Sequence, residues 1–503
     1  MLIEKRLFFI YNVTMKKLVY AKSALEADKK AIKNGTASIL LMERAARSML
    51  DSYHFEGRTA IVCGVGNNGG DGYALAYLLR RADVYYLAPP LTDDARYYMN
   101  KCVDNGVFVN EYTAGCLHGY DTIVDCIFGV GLNRPEEGKT AEVIREINSA
   151  GAYVISADIP SGLFADSGLC GECVKADMTV TFAALKPGHF LNDGLDKCGE
   201  VKVCDIGTSS ECDGYIIEKE DLKSLFAERK RNCNKGTYGY VSIIGGCERY
   251  GGAAKLANMA ASAMRVGAGV VRLAVGRSLS ASVSPYLLES TLYPMPDKDG
   301  YISFDPVVIN GALEGTRAVS VGMGMGHGED TDKVVSYVIG NYTGRLVLDA
   351  DALNVVSRIG CDILRNAKGR IVITPHPGEF ARLCSCTVAD VLSDPMGLAK
   401  AFAKEYNIIV LLKGCTTVIT DGEAVYLCDR GCAGQATAGS GDVLSGVLCG
   451  LLGYTDDILA ATIAGAYLCG EAACLAQAVV GEYSMIASDT LSRLPEAILN
   501  IQK

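Results

Sequence analysis

Residues 59–72 read TAIVCGVGNNGGDG, and this stretch decides the fold of the first half of the chain. The apolar run Thr59–Cys63 predicts a buried strand, and Tyr73–Arg81 predicts the helix that follows the glycine-rich loop. Glycines let the backbone turn sharply, and N–H groups at a helix N-terminus favour an anionic ligand. Similar buried-strand patterns alternate with alanine-rich helical stretches along the whole chain, which predicts two α/β domains with largely parallel sheets.

The glycines of this loop also fit the G-x-G-x-x-G fingerprint of dinucleotide-binding dehydrogenases, through Gly64, Gly66 and Gly69. That fingerprint expects an acidic residue about 20 positions later, but residues 84–90 read VYYLAPP. The extra polar side chains in the loop are also unnecessary for holding a pyrophosphate. A dehydrogenase is therefore the weaker alternative.

Two further strand patterns lead into aspartates, Asp121–Val124 into Asp125 and Tyr153–Ala157 into Asp158. Carboxyl ends of parallel strands share one sheet edge, where ligands bind. Asn68, Asp125 and Ser161 offer oxygen ligands for a hard or alkali cation, and Asp158 can serve as an acid or a base. The alternative for each aspartate is that it caps the following helix or turn.

Together with Leu41-Met42-Glu43-Arg44-Ala45, Gly129-Val130-Gly131 and Asp158-Ile159-Pro160-Ser161-Gly162, this loop resembles the NAD(P)H-hydrate epimerase domain over about residues 15–215. The resemblance implies a Rossmann-like three-layer fold, a potassium ion at Asn68, Asp125 and Ser161, and Asp158 as the acid or base. It also implies substrate-binding residues, which are Asn67, Asn68, Gly69, Gly70, Asp71, Gly129, Val130, Gly131, Leu132, Asn133, Arg134, Pro135 and Asp158. A non-catalytic RNA-binding scaffold of the same fold is the alternative; the acidic balance and Asp158 argue against it.

The second half of the chain carries several strand patterns that end in Gly, Asp, His or Lys, which predicts a ligand cleft. Its sharpest element is Ala438-Gly439-Ser440-Gly441-Asp442, which is followed by an apolar helix over Val443–Leu452. Amides at that helix start suit a transferring phosphoryl group, and Asp442 is placed to take a proton from a hydroxyl. The alternative is an acidic residue that only complements the helix dipole.

This half resembles the ribokinase-like, ADP- or ATP-dependent NAD(P)H-hydrate dehydratases over about residues 222–503, through segments such as residues 348–354 (LDADALN), 374–379 (TPHPGE) and 439–442 (GSGD). The resemblance implies Mg²⁺ with the nucleotide, and Asp442 as the catalytic base. Implied hydrate-binding residues are Ala253, Gly324, His376 and Asp442, and implied nucleotide-binding residues are Lys413, Gly414, Cys415, Thr416, Thr417 and Gly441. Where the family has GNPGMATGG, residues 431–439 read GCAGQATAG, which puts nucleotide affinity and choice in question.

Composition bounds the remaining possibilities. With 49% hydrophobic and 21% charged residues among 503, the chain is not a disordered one, and its net charge of −10 argues against nucleic acid or acidic membranes as partners. The longest uncharged runs, Val443–Thr455 and Ile458–Gly470, are too short to span a bilayer. Twenty scattered cysteines in a chain of this size indicate reduced thiols.

Both halves in this order resemble the bifunctional NAD(P)H-hydrate repair enzymes. We accordingly expect a cytoplasmic homo-oligomer that acts on small molecules, with residues 1–14 as a leader before a second start at Met15. Two alternatives are a ribokinase-like vitamin kinase fused to a nucleotide-binding module, and a nucleotide sensor with inactive sites. The intact Asp71, Asp158 and Asp442 argue against the sensor.

Overall fold

The computed structural model describes residues 15–132, 134–261 and 265–503. These residues form an N-terminal unit, Lys16–Gly214, and a C-terminal unit, Tyr215–Lys503 together with Met15.

The N-terminal unit is built on a parallel sheet with strand order β4-β3-β2-β5-β6-β7-β8. In chain order its strands and helices are β1 (Lys16–Leu18), α1 (Ala21–Lys33), α2 (Ser38–Ser52), β2 (Thr59–Cys63), α3 (Asn67–Leu79), β3 (Ala82–Tyr86), α4 (Asp93–Asp104), β4 (Val109–Glu111), β5 (Thr122–Cys126), α5 (Gly138–Ser149), β6 (Tyr153–Ala157), β7 (Met178–Phe182), α6 (Gly194–Lys197) and β8 (Glu200–Cys204).

Strand β2 shows how the three layers arise. All five of its residues are buried, and alternate side chains point to opposite faces of the sheet. Ile61 and Cys63 pack with helices α2, α3 and α4 on one face, whereas Ala60 and Val62 pack with α5 on the other. From β2 the chain adds β3 and β4 on one side, and from β5 it adds β6, β7 and β8 on the other, so the loops after β2 and β5 border one crevice.

Helix α3 begins at Asn67, six residues before the predicted start at Tyr73, and it takes in most of the glycine-rich loop. The reason is close packing. A Cβ on Gly69 would lie 2.0 Å from the carbonyl oxygen of Gly64, and one on Gly72 would lie 2.8 Å from both Cys63 Sγ and Cys126 Cβ. Glycine here lets a helix turn sit directly on the sheet.

The C-terminal unit contains a second, mostly parallel sheet, in which the order β9-β20-β19-β18-β17-β16-β15-β10-β11-β12 places only β19 antiparallel to its neighbours. Its strands are β9 (Gly214–Ile216), β10 (Tyr240–Ile244), β11 (Val270–Gly276), β12 (Thr291–Met295), β13 (Asp297–Lys298), β14 (Tyr301–Ile302), β15 (Ala318–Val321), β16 (Arg345–Leu348), β17 (Arg370–Ile373), β18 (Ile409–Leu412), β19 (Thr417–Thr420) and β20 (Val425–Cys428). Its helices are α7 (Gly251–Ala261), α8 (Ser280–Val283), α9 (Pro306–Leu313), α10 (Glu329–Asn341), α11 (Asp351–Ile359), α12 (Pro377–Cys384), α13 (Val388–Ser393), α14 (Pro395–Tyr406), α15 (Ser440–Tyr454), α16 (Ile458–Val480) and α17 (Ala487–Gln502).

Helices α15 and α16 supply much of the core of this unit. Residues Val443–Gly453 of α15 are all buried, and the helix packs against α7 and α16. Helix α16 is 23 residues long and apolar enough to cross a membrane by length and composition, but 72% of its most apolar 18-residue window is buried within the protein. That burial is typical of a core helix.

Candidate active sites

Asp158 lies at the carboxyl end of β6 in a left-handed backbone conformation, with φ of 68°. Its Oδ1 accepts hydrogen bonds from Thr181 Oγ1 (3.0 Å), from the Phe182 amide (3.2 Å) and from the Lys186 ammonium. Its Oδ2 accepts no hydrogen bond from the described residues. One oxygen therefore anchors the carboxylate, and the other is available to a ligand.

Lys186 and His189 fix the position of Asp158 through hydrogen bonds to its carboxylate and its carbonyl, respectively. The Lys186 side chain is 2% exposed, and its ammonium also donates to Thr181 Oγ1 (2.8 Å) and the Phe182 carbonyl (3.0 Å). His189 Nδ1 accepts from the Lys186 amide (3.2 Å), so the protonated nitrogen is Nε2, which donates to the Asp158 carbonyl (3.0 Å).

The pKa values of this group follow from burial and from these contacts. Burial alone would raise the pKa of Asp158, but the Lys186 charge and hydrogen bond, with help from the Phe182 amide and His189, lower it below its usual value. Burial, then the Lys186 charge, lower the pKa of His189 to about 4. Asp158 is thus ionised and His189 neutral near pH 7.

Asp158 and Lys186 border a cavity of about 580 Å³ at the carboxyl edge of the first sheet. The predicted substrate residues that line it are Asn67, Asn68, Asp71, Gly129, Val130, Gly131, Leu132, Arg134 and Asp158. Gly69 and Gly70 are instead buried in the first turns of α3, and Pro135 is exposed outside the lining. Asn133 lies outside the described residues.

Of the predicted potassium ligands, Asp125 and Ser161 bond directly to each other, whereas Asn68 lines the cavity and is linked to Ser161 only through Phe128. Asp125 lies within β5 rather than after it, and its buried carboxylate accepts from Ser156 Oγ (2.9 Å), the Ser161 amide (2.8 Å), Ser161 Oγ (2.5 Å) and the Ile127 amide (3.2 Å). Asn68 Nδ2 donates to the Phe128 carbonyl (2.8 Å), and the Phe128 amide donates to Ser161 Oγ (2.9 Å). Among the described residues, Asp125 has no Lys, Arg or His in an ion pair.

In the C-terminal unit, Lys413 is the centre of a cluster of carboxylates. It follows β18, and its ammonium lies 3.0 Å from Asp349 Oδ1 and 4.0 Å from Glu379 Oε2. Asp349 is 2% exposed, and its Oδ2 accepts from Ser445 Oγ of α15 (2.6 Å). This contact ties the end of β16 to the helix that carries the Gly-Ser-Gly-Asp segment.

Asp442 is the third residue of α15 and borders this cluster. Burial, followed by the negative charge of Asp349, raises the pKa of Asp442 to about 7, although Lys413 opposes the shift. A carboxyl group with such a pKa gains and releases a proton near neutral pH, as a general base requires. Gly439, with φ of 95°, precedes the helix and leaves its first amides without partners inside it.

The remaining predicted residues of this unit lie around the same sheet edge. Gly324 and Ala253 are adjacent, since a Cβ on Gly324 would lie 3.0 Å from that of Ala253. His376 caps α12: its Nδ1 accepts from the Gly378 amide (3.0 Å), and its own amide donates to Glu379 (2.9 Å). In the predicted nucleotide segment, Lys413 and Thr417 are half-buried, Gly414 and Cys415 are exposed, and Thr416 is buried; Gly441 faces Lys413.

Sequence reasoning missed four side chains that hold these groups. Asp349 and Glu379 stand in motifs that the sequence showed, but they were given no role. Lys186 and His189 follow strand β7 in residues 186–189, KPGH, which is another strand end with polar residues and was therefore a detectable signal.

Comparison with known proteins finds a separate family match in each of the two units. Residues 241–496 match the family described as NAD(P)H-hydrate dehydratase, and residues 38–188 match that described as YjeF-related protein N-terminus. A bifunctional NAD(P)H-hydrate repair enzyme from Moorella thermoacetica is 34% identical over 501 residues, covering 93% of each chain. The corresponding enzyme of Dictyoglomus turgidum is 36% identical over 490 residues, covering 92% of this chain and 94% of its own.

Among solved structures, the ADP/ATP-dependent NAD(P)H-hydrate dehydratase from Bacillus subtilis, co-crystallized with ATP/Mg²⁺, is 26% identical with a TM-score of 0.49 and covers 56% of this chain and 97% of its own. The predicted fold class, two α/β units with largely parallel sheets, is confirmed. With relatives that cover nearly its whole length and a family match in each unit, the chain belongs to the bifunctional NAD(P)H-hydrate repair enzymes.

Proposed function

We propose that this chain repairs hydrated nicotinamide cofactors. It interconverts the R and S epimers of NAD(P)H hydrate within residues 15–215, and it dehydrates the S epimer to NAD(P)H within residues 222–503 at the expense of ADP or ATP. Addition of water to the dihydronicotinamide ring gives both epimers. A dehydratase whose base and phosphate donor approach from one face uses one of them only, so the epimerase makes the other usable.

In the N-terminal unit, Asp158 is the group that exchanges a proton with the hydrate. Its Oδ1 is fixed by Lys186, Thr181 and the Phe182 amide, which directs Oδ2 to the substrate. The start of α3, through Asn67, Asn68 and Asp71, and the segment after β5, through residues 129–132 and Arg134, bind the substrate on either side of the crevice between β2 and β5. The charged Asp158 is stable there because Lys186 neutralises it.

Potassium fits the residues Asn68, Asp125 and Ser161. They offer amide, carboxylate and hydroxyl oxygens, and burial raises the pKa of Asp125, whose carboxyl group has no counter-charge among the described residues. A bound potassium ion would supply that counter-charge and hold the loops after β2, β5 and β6 together.

In the C-terminal unit, Asp442 takes the proton of the hydrate hydroxyl. The hydroxyl oxygen accepts the terminal phosphoryl group of the nucleotide, and phosphate then leaves with the electron pair of the C–O bond. Loss of a proton to water from the neighbouring ring carbon restores the ring double bond. Lys413 and the amides at Gly441 and Asp442 stabilise the transferring group. Carboxylate oxygens of Glu379 and Asp442, which both lie near Lys413, could hold a magnesium ion, and that ion would supply positive charge for the phosphates of the nucleotide.

The observation that carries the proposal is that each unit presents a carboxylate with its own lysine at the carboxyl edge of its own parallel sheet. Asp158 pairs with Lys186, and the Asp442 cluster is organised by Lys413. Neither arrangement depends on the other, and each contains the acid–base group that its half-reaction needs.

The test is the recovery of absorbance at the dihydronicotinamide band from a mixture of both hydrate epimers, with magnesium, potassium, and ADP or ATP. We expect the whole mixture to be recovered, and recovery to be lost without nucleotide. Recovery that stops at the share of the S epimer would contradict the epimerase. No recovery with either nucleotide would contradict the dehydratase and favour the vitamin-kinase alternative.

A cytoplasmic location is part of the proposal. It is supported by the twenty cysteines, none of which forms a disulfide in the described structure, as in a reducing compartment. The small-molecule substrates of the family are consistent with the absence of nucleic acid and membrane partners. That absence and the homo-oligomeric state stay predictions.

A further inference from the structure

Two more carboxyl groups line the cavity of the N-terminal unit beside Asp158. Asp71 comes from the first turns of α3, and Asp28 comes from helix α1, which sequence analysis did not connect with the site. Both are partly buried. Asp28 is therefore a titratable side chain in the proposed active site to which no role has been given.

The charges around these groups do not balance if all three carboxyls are ionised. Lys186 bonds directly to Asp158 and neutralises that group. Neither Asp28 nor Asp71 has a Lys, Arg or His ion pair among the described residues. Charged side chains that line the same cavity are Asp28, Asp71, Asp94, Arg134, Glu136, Asp158 and Lys186. A partly buried carboxyl group beside other carboxylates, without its own counter-charge, favours its neutral form.

The pKa values of Asp28 and Asp71 agree with this lack of counter-charge. Burial, followed by the charge of Asp158, raises the pKa of Asp28 to about 6, with Lys186 opposing. Burial, followed by the charges of Asp158 and Asp28, raises the pKa of Asp71 well above its usual value. Carboxyl groups in one site whose pKa values diverge take opposite roles, one as an acid and one as a base. Asp28 is the better donor, because a catalytic acid works best with a pKa near the operating pH.

We propose that Asp28 is a second catalytic carboxyl group of the epimerase and donates a proton on the substrate face opposite Asp158. The inference rests on the proposed function of the N-terminal unit. Asp158 comes from the sheet edge and Asp28 from a helix, so the two groups approach the cavity from separate elements. Epimerisation needs both faces of the hydrated carbon.

The Asp28 carboxyl gives its proton to the hydroxyl on the hydrated carbon, the C–O bond breaks with its electron pair on oxygen, and water leaves. The lone pair of the ring nitrogen stabilises the resulting cation. Water then adds to the opposite face and loses a proton to Asp158 Oδ2. The reverse direction uses Asp158 as the acid and Asp28 as the base, and exchange with solvent resets their protons.

The test compares Asp28→Asn with Glu26→Gln, which removes one charge from an exposed position of the same helix. Exchange between purified epimers is followed without nucleotide, and dehydration of the S epimer is followed with it. We expect Asp28→Asn to slow exchange about 100-fold or more and to leave dehydration unchanged. Glu26→Gln should leave both rates unchanged.

The pH profile and an oxygen label separate this role from a structural one. Exchange by the wild type should decline as pH rises through about 6, where Asp28 loses its proton, and Asp28→Asn should lose that decline. Exchange in H₂¹⁸O should place the label in the product epimer, whereas retention of the original oxygen would overturn the C–O step.

Two other results decide the matter. If the wild type exchanges epimers and Asp28→Asn does so at the same rate, the role of Asp28 is wrong and the proposed function stands. If the wild type does not exchange them at all, the epimerase function is wrong, and this inference falls with it.

Discussion

At the scale of single residues, the ion pair of Asp158 and Lys186 controls the N-terminal site. Both groups are largely removed from water, with side chains 13% and 2% exposed. A buried ion pair is costly to break from one side, because the remaining charge stays uncompensated. Without Lys186, Asp158 avoids that cost only by taking up a proton, and a protonated Asp158 cannot act as the base.

We therefore expect Lys186→Met to slow epimer exchange about 100-fold and to leave dehydration intact. The pKa of Asp158 should rise in the variant, so that the loss of exchange at low pH moves to a higher pH. Rates measured across pH for both activities check this. Lys175→Met, at an exposed position of the same unit, is the matched control. An unchanged exchange rate in Lys186→Met would contradict the role of the ion pair.

His189 makes a prediction about stability. Its folded pKa of about 4 lies below its ordinary 6.5, so the unfolded chain binds the proton first as pH falls. The stabilisation is fully present above pH 6.5 and is lost as pH falls towards 4, by about 3 kcal/mol. Denaturant unfolding of the N-terminal unit at these two pH values should show a smaller loss for His189→Gln than for the wild type. His54→Gln, at an exposed histidine, should behave as the wild type does.

At the scale of elements, helix α3 fits the sheet only because its first turns carry glycine. We expect Gly69→Ala to destabilise the N-terminal unit by about 1–3 kcal/mol, because the new methyl group would meet the Gly64 carbonyl at 2.0 Å. In Gly66→Ala the methyl group would meet nothing within 4 Å, so the free energy of unfolding should stay close to that of the wild type. Equal stability of the two variants would show that the helix can shift away.

The elements also show what sequence could predict. The strands Thr59–Cys63 and Tyr153–Ala157 have the bounds that the sequence predicts, because short runs of buried residues are nearly unambiguous between turns. The start of α3 was missed, since glycine normally ends a helix and only the neighbouring strand explains its use here. The role of Asp28 had no local signal, because its chemistry comes from Asp158 and Lys186, more than a hundred residues away.

At the scale of the whole molecule, the two activities should be separable. Asp158→Asn should lose epimer exchange and keep dehydration, and Asp442→Asn should do the reverse. Since the hydrate is a small diffusible molecule, an equimolar mixture of both variants should recover the whole epimer mixture, which neither variant achieves alone. Absorbance at the dihydronicotinamide band measures this. Loss of exchange in Asp442→Asn would contradict two independent sites.

The buried thiols that pack against Gly72, with two in the other unit, can report how often each unit opens. Cys63 and Cys126 are buried where α3 meets the sheet, and Cys449 and Cys469 are buried in α15 and α16 of the other unit. A thiol-alkylating reagent reaches such groups only during transient opening, so each alkylation rate reports the opening free energy of its own unit. Peptide mass spectrometry of the wild-type chain can therefore measure the opening rates of both units in a single sample.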